Sequence, residues 1–217
     1  MAVSKAFPAD AIREAYAAGQ RLFGENRVQE FAGKHAELAW ASPTEGAAVV
    51  RDAFDLAKTE FHLIGHLQTN KAAKAVELFN AVDSVDSLKL LERLNVAAAR
   101  LHKRLAVLIE INVGGEEAKA GLAPDSPEVE AILRGVLSLC NIDIRGFMTV
   151  PPYTEDPEGA RPYFRRLREL RDSFAALHLP GIMLSELSMG MSHDFEVAIE
   201  EGSTCVRLGT AIFGTRG

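Results

Sequence analysis

Near its carboxyl end the sequence reads Cys-Val-Arg-Leu-Gly-Thr (205–210), and it begins with Met-Ala-Val-Ser-Lys (1–5). Both stretches are typical of a short β-strand that ends at polar or small residues. In parallel α/β folds, such residues after strands are the ones that form binding sites. Because these two stretches lie at opposite ends of the chain, they share one site only if the first and last strands are neighbours. A closed barrel has that property.

The sequence between them repeats one pattern, in which a β-branched or apolar run is followed by helical periodicity. Eight such units fit into the 217 residues. Each unit averages about 27 residues, which is compact for a (β/α)8 barrel of typically ~250 residues. The predicted strands are Ala2–Ser4, Arg21–Gly24, Glu60–Ile64, Ala81–Val85, Ala106–Asn112, Ile142–Met148, Ile182–Leu187 and Cys205–Leu208.

A doubly wound open sheet is the alternative architecture for this pattern. No Gly-x-Gly-x-x-Gly motif follows the first predicted strand, however, and the strongest polar motifs follow strands at opposite ends of the chain. We therefore predict a single domain over residues 1–217, folded as a closed (β/α)8 TIM barrel.

Composition excludes several classes of protein. The chain has 24 Lys and Arg against 30 Asp and Glu, a net charge of −6, so the whole molecule has no positive field for nucleic acid or anionic membranes. No apolar run approaches the ~18 residues of a membrane span, and the first residues do not form an export signal. Cys140 and Cys205 are too few for a disulfide framework, so we expect reduced thiols in a cytoplasmic protein.

Small residues follow the last two predicted strands, where barrels of this type usually bind phosphate. After strand 7 the sequence reads Ser188-Met189-Gly190-Met191-Ser192, and Gly209 and Thr210 follow strand 8. Small residues let backbone N–H groups approach an anion, and a helix N-terminus favours negative charge. Helix capping is the alternative role for Ser188 and Thr210.

Alternation of side chains predicts that two basic residues point into the barrel mouth. Arg207 lies between Val206 and Leu208, so Arg207 faces the barrel axis if that apolar pair packs against helices. The guanidinium then needs an acceptor, either a ligand or a structural carboxylate. Lys5 shares the parity of Val3 on the neighbouring strand, about 4.8 Å away. A partly desolvated lysine near an arginine is a candidate Schiff-base nucleophile, and a solvated surface lysine is the alternative.

Other polar residues near the same strand ends have simpler alternatives. Asn26 follows strand 2, beside strand 1, so its amide can reach the same pocket, but Asn26 and Gln29 also fit a capping-box variant. His62 and His66 are separated by roughly 13 Å along an extended strand, too far to share one ion. We therefore expect no metal site.

Motifs from residue 2 to residue 214 occur in the order typical of one family. They are Ala2-Val3-Ser4-Lys5, Phe23-Gly24-Glu25-Asn26 with Gln29-Glu30, His62-Leu63-Ile64-Gly65 with Leu67-Gln68 and Asn70-Lys71, Glu117 with Lys119 and Gly121, Gly146-Phe147-Met148-Thr149-Val150-Pro151-Pro152, Leu187-Ser188-Met189-Gly190-Met191-Ser192, and Val206-Arg207-Leu208-Gly209-Thr210-Ala211-Ile212-Phe213-Gly214. In these motifs the chain resembles the pyridoxal phosphate homeostasis proteins.

The resemblance implies a fold similar to the barrel domain of alanine racemases and a site for pyridoxal 5′-phosphate (PLP). It implies that Lys5 holds PLP as a Schiff base, that Arg207 faces the pyridine nitrogen and that Asn26 lies beside the cofactor. The residues that it assigns to the phosphate are Ser188, Met189, Gly209 and Thr210. Only Met1 to Ser4 stand ahead of the lysine in this sequence, where the family usually has a helix and a fuller first strand, and His66 stands where proline is common.

The resemblance favours a protein that carries or buffers PLP without turnover. An arginine opposite the ring nitrogen discourages its protonation and weakens carbanion chemistry, although alanine racemases also use an arginine there. Those enzymes add a second domain with an opposing acid or base, which we do not expect after Gly217. The alternative is a PLP-dependent or Schiff-base enzyme on the same barrel, racemase-like or acting on a sugar phosphate. We expect a monomer whose partners are PLP and the apo-enzymes that require it.

Overall fold

Eight parallel strands alternate with α-helices in the computed structural model, which describes residues 1–40, 54–116, 119–180 and 182–214. Strands β1 to β8 are Ala2–Val3, Leu22–Glu25, Glu60–Leu63, Ala81–Val85, Leu105–Glu110, Ile142–Met148, Glu186–Met191 and Cys205–Arg207. Helices α1 to α8 are Ala9–Ala17, Val28–Ala39, Ala72–Leu78, Leu88–Arg100, Pro127–Gly135, Arg161–Ala175, Phe195–Glu200 and Thr210–Phe213. Glu117, one of the residues of the family motifs, lies outside the described residues.

The strands close into a barrel. Each pairs in parallel with the next, in the order β1 to β8. The last strand then meets the first, because Val3 N–H donates to Leu208 O at 2.8 Å and Leu208 N–H donates to Met1 O at 3.0 Å. The predicted (β/α)8 barrel is therefore confirmed, and the open doubly wound sheet is excluded.

The two faces of the strands differ in chemistry. Helix-facing positions carry the aromatic core, in which the ring centroids of Phe31 on α2 and Phe61 on β3 are 4.6 Å apart and those of Phe23 and Phe61 are 5.6 Å apart. The alternate positions face the barrel axis and are often polar, as at His62 and Arg207. The barrel axis is thus lined by groups that need hydrogen-bond partners.

Local signals set several helix ends. The Ser126 hydroxyl accepts from the Glu128 N–H at 3.2 Å, and Pro127 occupies the first position of α5. Helix α1 ends at Ala17, just before Gly19, which has a φ of +101°. Within the described ranges, none of the helices combines the length and apolar character needed to cross a bilayer.

Strand β7 differs from its prediction. The apolar run Ile182–Leu187 suggests a strand, but pairing with β6 begins only at Glu186, and Met183 is 77% exposed. The carbonyl oxygen of Glu186 lies 1.8 Å from where a Cβ on Gly146 would stand. Strand β7 therefore starts at Glu186, where the glycine on β6 lets the two backbones approach closely. This start places Ser188 and Met189 inside the strand.

Gly146→Ala is expected to destabilise the protein by about 3 kcal/mol, because its Cβ would collide with backbone that cannot rotate away. The matched control is Gly33→Ala in α2, where nothing lies within 4 Å of the added Cβ. That change should stabilise the helix by about 0.5–1 kcal/mol. Urea unfolding midpoints measure both effects, and similar midpoints for the two variants would contradict the proposed close approach.

Candidate functional site

A cavity of about 390 Å³ opens at the carboxyl ends of the strands; we call it the mouth cavity. Its volume is within the range of small-molecule sites. Five of the seven predicted site residues line it, from both ends of the chain. The described lining residues are Val3, Lys5, Asn26, Ile64, Val150, Met191, Ser192, His193, Arg207, Gly209 and Thr210.

A second cavity, of about 430 Å³, lies on the outer wall of the barrel between α3 and α4. Its lining includes the basic residues Lys89, Arg93 and Arg100. It contains none of the predicted site residues and lies away from the axis. The mouth cavity is therefore the candidate functional site.

Ser188 and Met189 do not line the mouth cavity, which corrects their predicted position. Both are fully buried within β7, and Met189 belongs to the hydrophobic core. The Ser188 hydroxyl accepts a hydrogen bond from Arg207 Nη1 at 2.8 Å. The physical reason is the later start of β7, which moves these residues from the loop into the strand.

Met191, Ser192 and His193 line the rim after β7, where the sequence predicted the whole run from Ser188 to Ser192. The Ser192 hydroxyl accepts from the Gly209 N–H at 3.3 Å and so joins the ends of β7 and β8. The Asp194 carboxylate accepts from the Met191 N–H at 2.6 Å and holds this turn. Ser192 is the last residue of the predicted Ser-Met-Gly-Met-Ser run, and it lies at the rim because β7 extends to Met191.

Arg207 is only 4% exposed, yet its side chain lines the mouth cavity. Its Nη1 and Nη2 atoms donate to Ser188 Oγ at 2.8 Å and to the Thr149 carbonyl at 2.7 Å. Burial lowers the pKa of Arg207, whereas the negative charge of Asp83 and of Glu110 acts in the opposite direction. Because these bonds use two of the five N–H donors of a guanidinium, donors remain for an acceptor in the cavity.

Lys5 lies in the turn between β1 and α1, on the cavity side as the alternation of side chains predicts. The Phe7 N–H donates to the Ser4 carbonyl at 3.1 Å and closes this turn. Ala6 has a φ of +63°, in the left-handed region that residues with a Cβ rarely adopt. The Lys5 side chain, which is partly buried, therefore projects from a hydrogen-bonded turn whose next residue has an unusual backbone conformation.

A carboxyl group lies at the end of β5, next to the mouth. Glu110 is 9% exposed, and its Oε2 atom has no hydrogen-bond partner among the described residues. Burial, assisted by the charge of Asp86, raises the pKa of Glu110 to about 7, while Arg207 and His66 oppose the shift. Glu110 therefore titrates near neutral pH.

The two histidines considered for a metal face different carboxylates. His62 Nδ1 lies 3.1 Å from Asp83 Oδ1, and His66 Nδ1 lies 3.0 Å from Asp86 Oδ2. His66, whose role the sequence did not indicate, thus forms an ion pair when protonated. No group of three candidate metal ligands occurs in the parts of the chain that the structure describes.

The barrel and its mouth cavity define a protein of the alanine racemase N-terminal domain class. The family model described as "Alanine racemase, N-terminal domain" matches residues 1–217. A relative from Aquifex aeolicus, named "Pyridoxal phosphate homeostasis protein", is 44% identical over 216 residues, covering 100% of this chain and 86% of the relative. A Homo sapiens relative of the same name is 40% identical over 223 residues, covering 100% and 76%. The chain belongs to the pyridoxal phosphate homeostasis protein family.

Solved structures agree with this assignment. PipY of Synechococcus elongatus PCC7942 without PLP is 41% identical, with a TM-score of 0.85, covering 98% of this chain and 91% of PipY. PipY with PLP bound is 40% identical, with a TM-score of 0.82, covering 99% and 91%. An alanine racemase of Clostridium difficile 630 is 16% identical, with a TM-score of 0.69, covering 99% and 52%, and shows the shared fold alone.

Glu110→Gln is expected to flatten the pH dependence of stability between about pH 4.5 and 7. The raised pKa means that folded Glu110 binds a proton more tightly than unfolded Glu110, so this group's contribution is lost as the pH rises through that window. The free energies of unfolding of wild type and variant should diverge by about 3 kcal/mol across it. Urea titrations at several pH values measure the divergence, and parallel curves would contradict the raised pKa.

Proposed function

We propose that this chain binds pyridoxal 5′-phosphate in the mouth cavity and carries or buffers it, without turnover, in vitamin B6 homeostasis. The observation that carries the proposal is that Lys5 and the buried Arg207, distant in sequence, line one cavity together with Ser192, Gly209 and Thr210. The names of the relatives and the PLP-bound PipY structure support the same conclusion.

The lining residues fit the chemistry of each part of the cofactor. The ring nitrogen accepts hydrogen bonds, and Arg207 lines the cavity and has N–H donors beyond those bonded to Ser188 and Thr149. The Ser192 and Thr210 hydroxyls can donate hydrogen bonds to a phosphate. Gly209, which directly precedes Thr210, has no side chain to obstruct that phosphate. When bound, PLP supplies an aldehyde that the Lys5 amine attacks, forming a C=N bond with loss of one water.

Asn26 lies at the polar rim of the cavity, whereas Ser188 is buried behind the lining residues. We assign Asn26 a place beside the bound cofactor, because it lines the same cavity from the end of β2. Ser188 holds Arg207 through its hydroxyl, so its role is to orient the guanidinium. Met189 supports the sheet from the core.

The chemistry of the cavity favours a protein that carries PLP over an enzyme that uses PLP in catalysis. None of the described residues lining it is a carboxylate. A permanently cationic Arg207 at the ring nitrogen leaves that nitrogen unprotonated, which weakens the electron sink needed for carbanion chemistry. Lys5 is only partly buried, so an acceptor amine can reach the bound aldehyde from solvent.

One observation favours a second candidate, a racemase-like enzyme. His193 and Lys5 both line the cavity, so two groups able to exchange protons are present there. His193 contacts the Thr154 carbonyl through Nε2 at 3.0 Å, which ties it to the loop after β6. Interconversion of alanine or serine enantiomers at enzyme-like rates would establish this alternative and overturn the carrier.

The same proposal extends to the setting of the protein. We infer that it acts as a monomer in the cytoplasm and passes PLP to apo-enzymes. The unpaired thiols of Cys140 and Cys205 are compatible with a reducing compartment. Transfer to an apo-enzyme is measured as the activity gained when PLP-loaded protein is mixed with it.

Lys5→Ala is expected to abolish the visible absorption band that PLP produces on binding, because Lys5 alone among the described lining residues offers a side-chain amine. In wild type, borohydride should bleach the band and leave the reduced adduct on Lys5, detected by peptide mass. The control is Lys58→Ala, an exposed lysine paired with Asp55, which should keep the band. An unchanged band in the Lys5 variant would sink the proposal.

Ser192→Ala is expected to weaken binding of PLP by about tenfold through loss of a hydrogen bond to the charged phosphate. Binding of pyridoxal, which has no phosphate, should change little. Fluorescence titrations with both compounds separate the two effects. Equal losses for PLP and pyridoxal would show that Ser192 only supports the fold.

A further inference from the structure

We infer that a buried ion-pair network behind the barrel wall positions the amine of Lys5 for covalent capture of the cofactor. The network consists of Ser4, Glu25, Glu30 and Lys34, and we call it the Glu25 network. The inference rests on the proposed function. It adds positioning residues that do not themselves contact the ligand.

Lys34 on α2 is the centre of the network. Its Nζ atom donates to the Ser4 carbonyl at 2.9 Å and to Glu25 Oε1 at 2.8 Å, and it lies 3.0 Å from Glu30 Oε1. The Ser4 hydroxyl donates to the same Glu25 oxygen at 2.8 Å. The three N–H donors of the ammonium therefore each have an acceptor.

The network holds the backbone on both sides of Lys5. On one side, Lys34 binds the carbonyl of Ser4. On the other, the Ala6 N–H donates to Glu30 Oε1 at 2.8 Å, and Ala6 has the left-handed φ of +63°. A conformation that is unfavourable for alanine persists only when its surroundings enforce it. Lys5 lies between these two fixed peptide groups.

The burial of the network indicates a role beyond stability. Ser4 and Glu25 are fully buried, and Lys34 is 9% exposed. Burial raises the pKa of Glu25 despite the adjacent Lys34, and Glu25 Oε2 has no hydrogen-bond partner among the described residues. Replacement of such a pair by apolar residues often stabilises a protein. A costly network directly behind one functional lysine is best explained by the geometry that it imposes there.

The network acts from the side opposite to the cavity. Glu25 has the parity of Phe23, which faces the helices, and Ser4 has the parity of Ala2 in the core. Lys5 has the opposite parity and lines the cavity. Loss of the network should therefore slow formation of the C=N bond and leave the contacts to ring and phosphate in place.

The test uses the apolar double variant Lys34→Met with Glu25→Leu, which removes both buried charges together. Its rate of covalent capture of PLP, followed by the visible band and by borohydride trapping at Lys5, should fall about tenfold. Its affinity for pyridoxine 5′-phosphate, which has the ring and phosphate but no aldehyde, should equal that of wild type. The control is Lys74→Met with Glu77→Leu, an exposed ion pair that should affect neither quantity.

The outcomes separate the inference from the proposed function. Capture at the wild-type rate in the double variant, or an equal loss of affinity for the aldehyde-free analogue, overturns the positioning role. Failure of wild type to form any adduct at Lys5 overturns the proposed function instead. If the double variant does not fold, the second variant is Glu30→Ala, which removes the acceptor of the Ala6 N–H and changes only a partly exposed side chain. This variant must show the same slow capture of PLP and an unchanged affinity for pyridoxine 5′-phosphate.

Discussion

The backbone hydrogen bonds that join Leu208 to Met1 and Val3 are the constraint on which the rest of the structure depends. They make the first and last strands neighbours, although the residues involved are separated by almost the whole chain. Only with this closure do the ends of β1 and β8 share one rim. The cavity that contains both Lys5 and Arg207 is therefore a direct product of barrel closure.

A polar barrel axis imposes a further requirement, because each buried donor or acceptor there needs a partner. Arg207 meets it with a serine hydroxyl and a backbone carbonyl, both neutral. A carboxylate partner would have neutralised the guanidinium and reduced its attraction for an acceptor in the cavity. Neutral support keeps Arg207 available to a ligand, which agrees with the carrier function that we propose.

Features that depend on local periodicity could be predicted from the sequence. Alternation along a strand is a local property, so it correctly oriented Lys5 and Arg207 toward the mouth. The start of β7 depends on the approach of Glu186 to Gly146, a tertiary contact with no local signature. The sequence therefore did not indicate that Ser188 lies inside the strand while Ser192 lies at the rim. The pairing of Glu25 with Lys34 was also missed, since it links a strand end to the following helix through space.

The separation of chemistry between the two faces of the wall has a consequence for how such a barrel acquires new ligands. Axis-facing side chains lie on the opposite face of the strands from the aromatic layer, so we expect changes in them to combine almost independently with changes in the core. Laboratory selection for other aldehydes can therefore vary the rim freely. The exception is the turn at Lys5, because the inferred Glu25 network on the helix-facing side positions a side chain on the axis-facing side. A library must therefore retain the residues of that network.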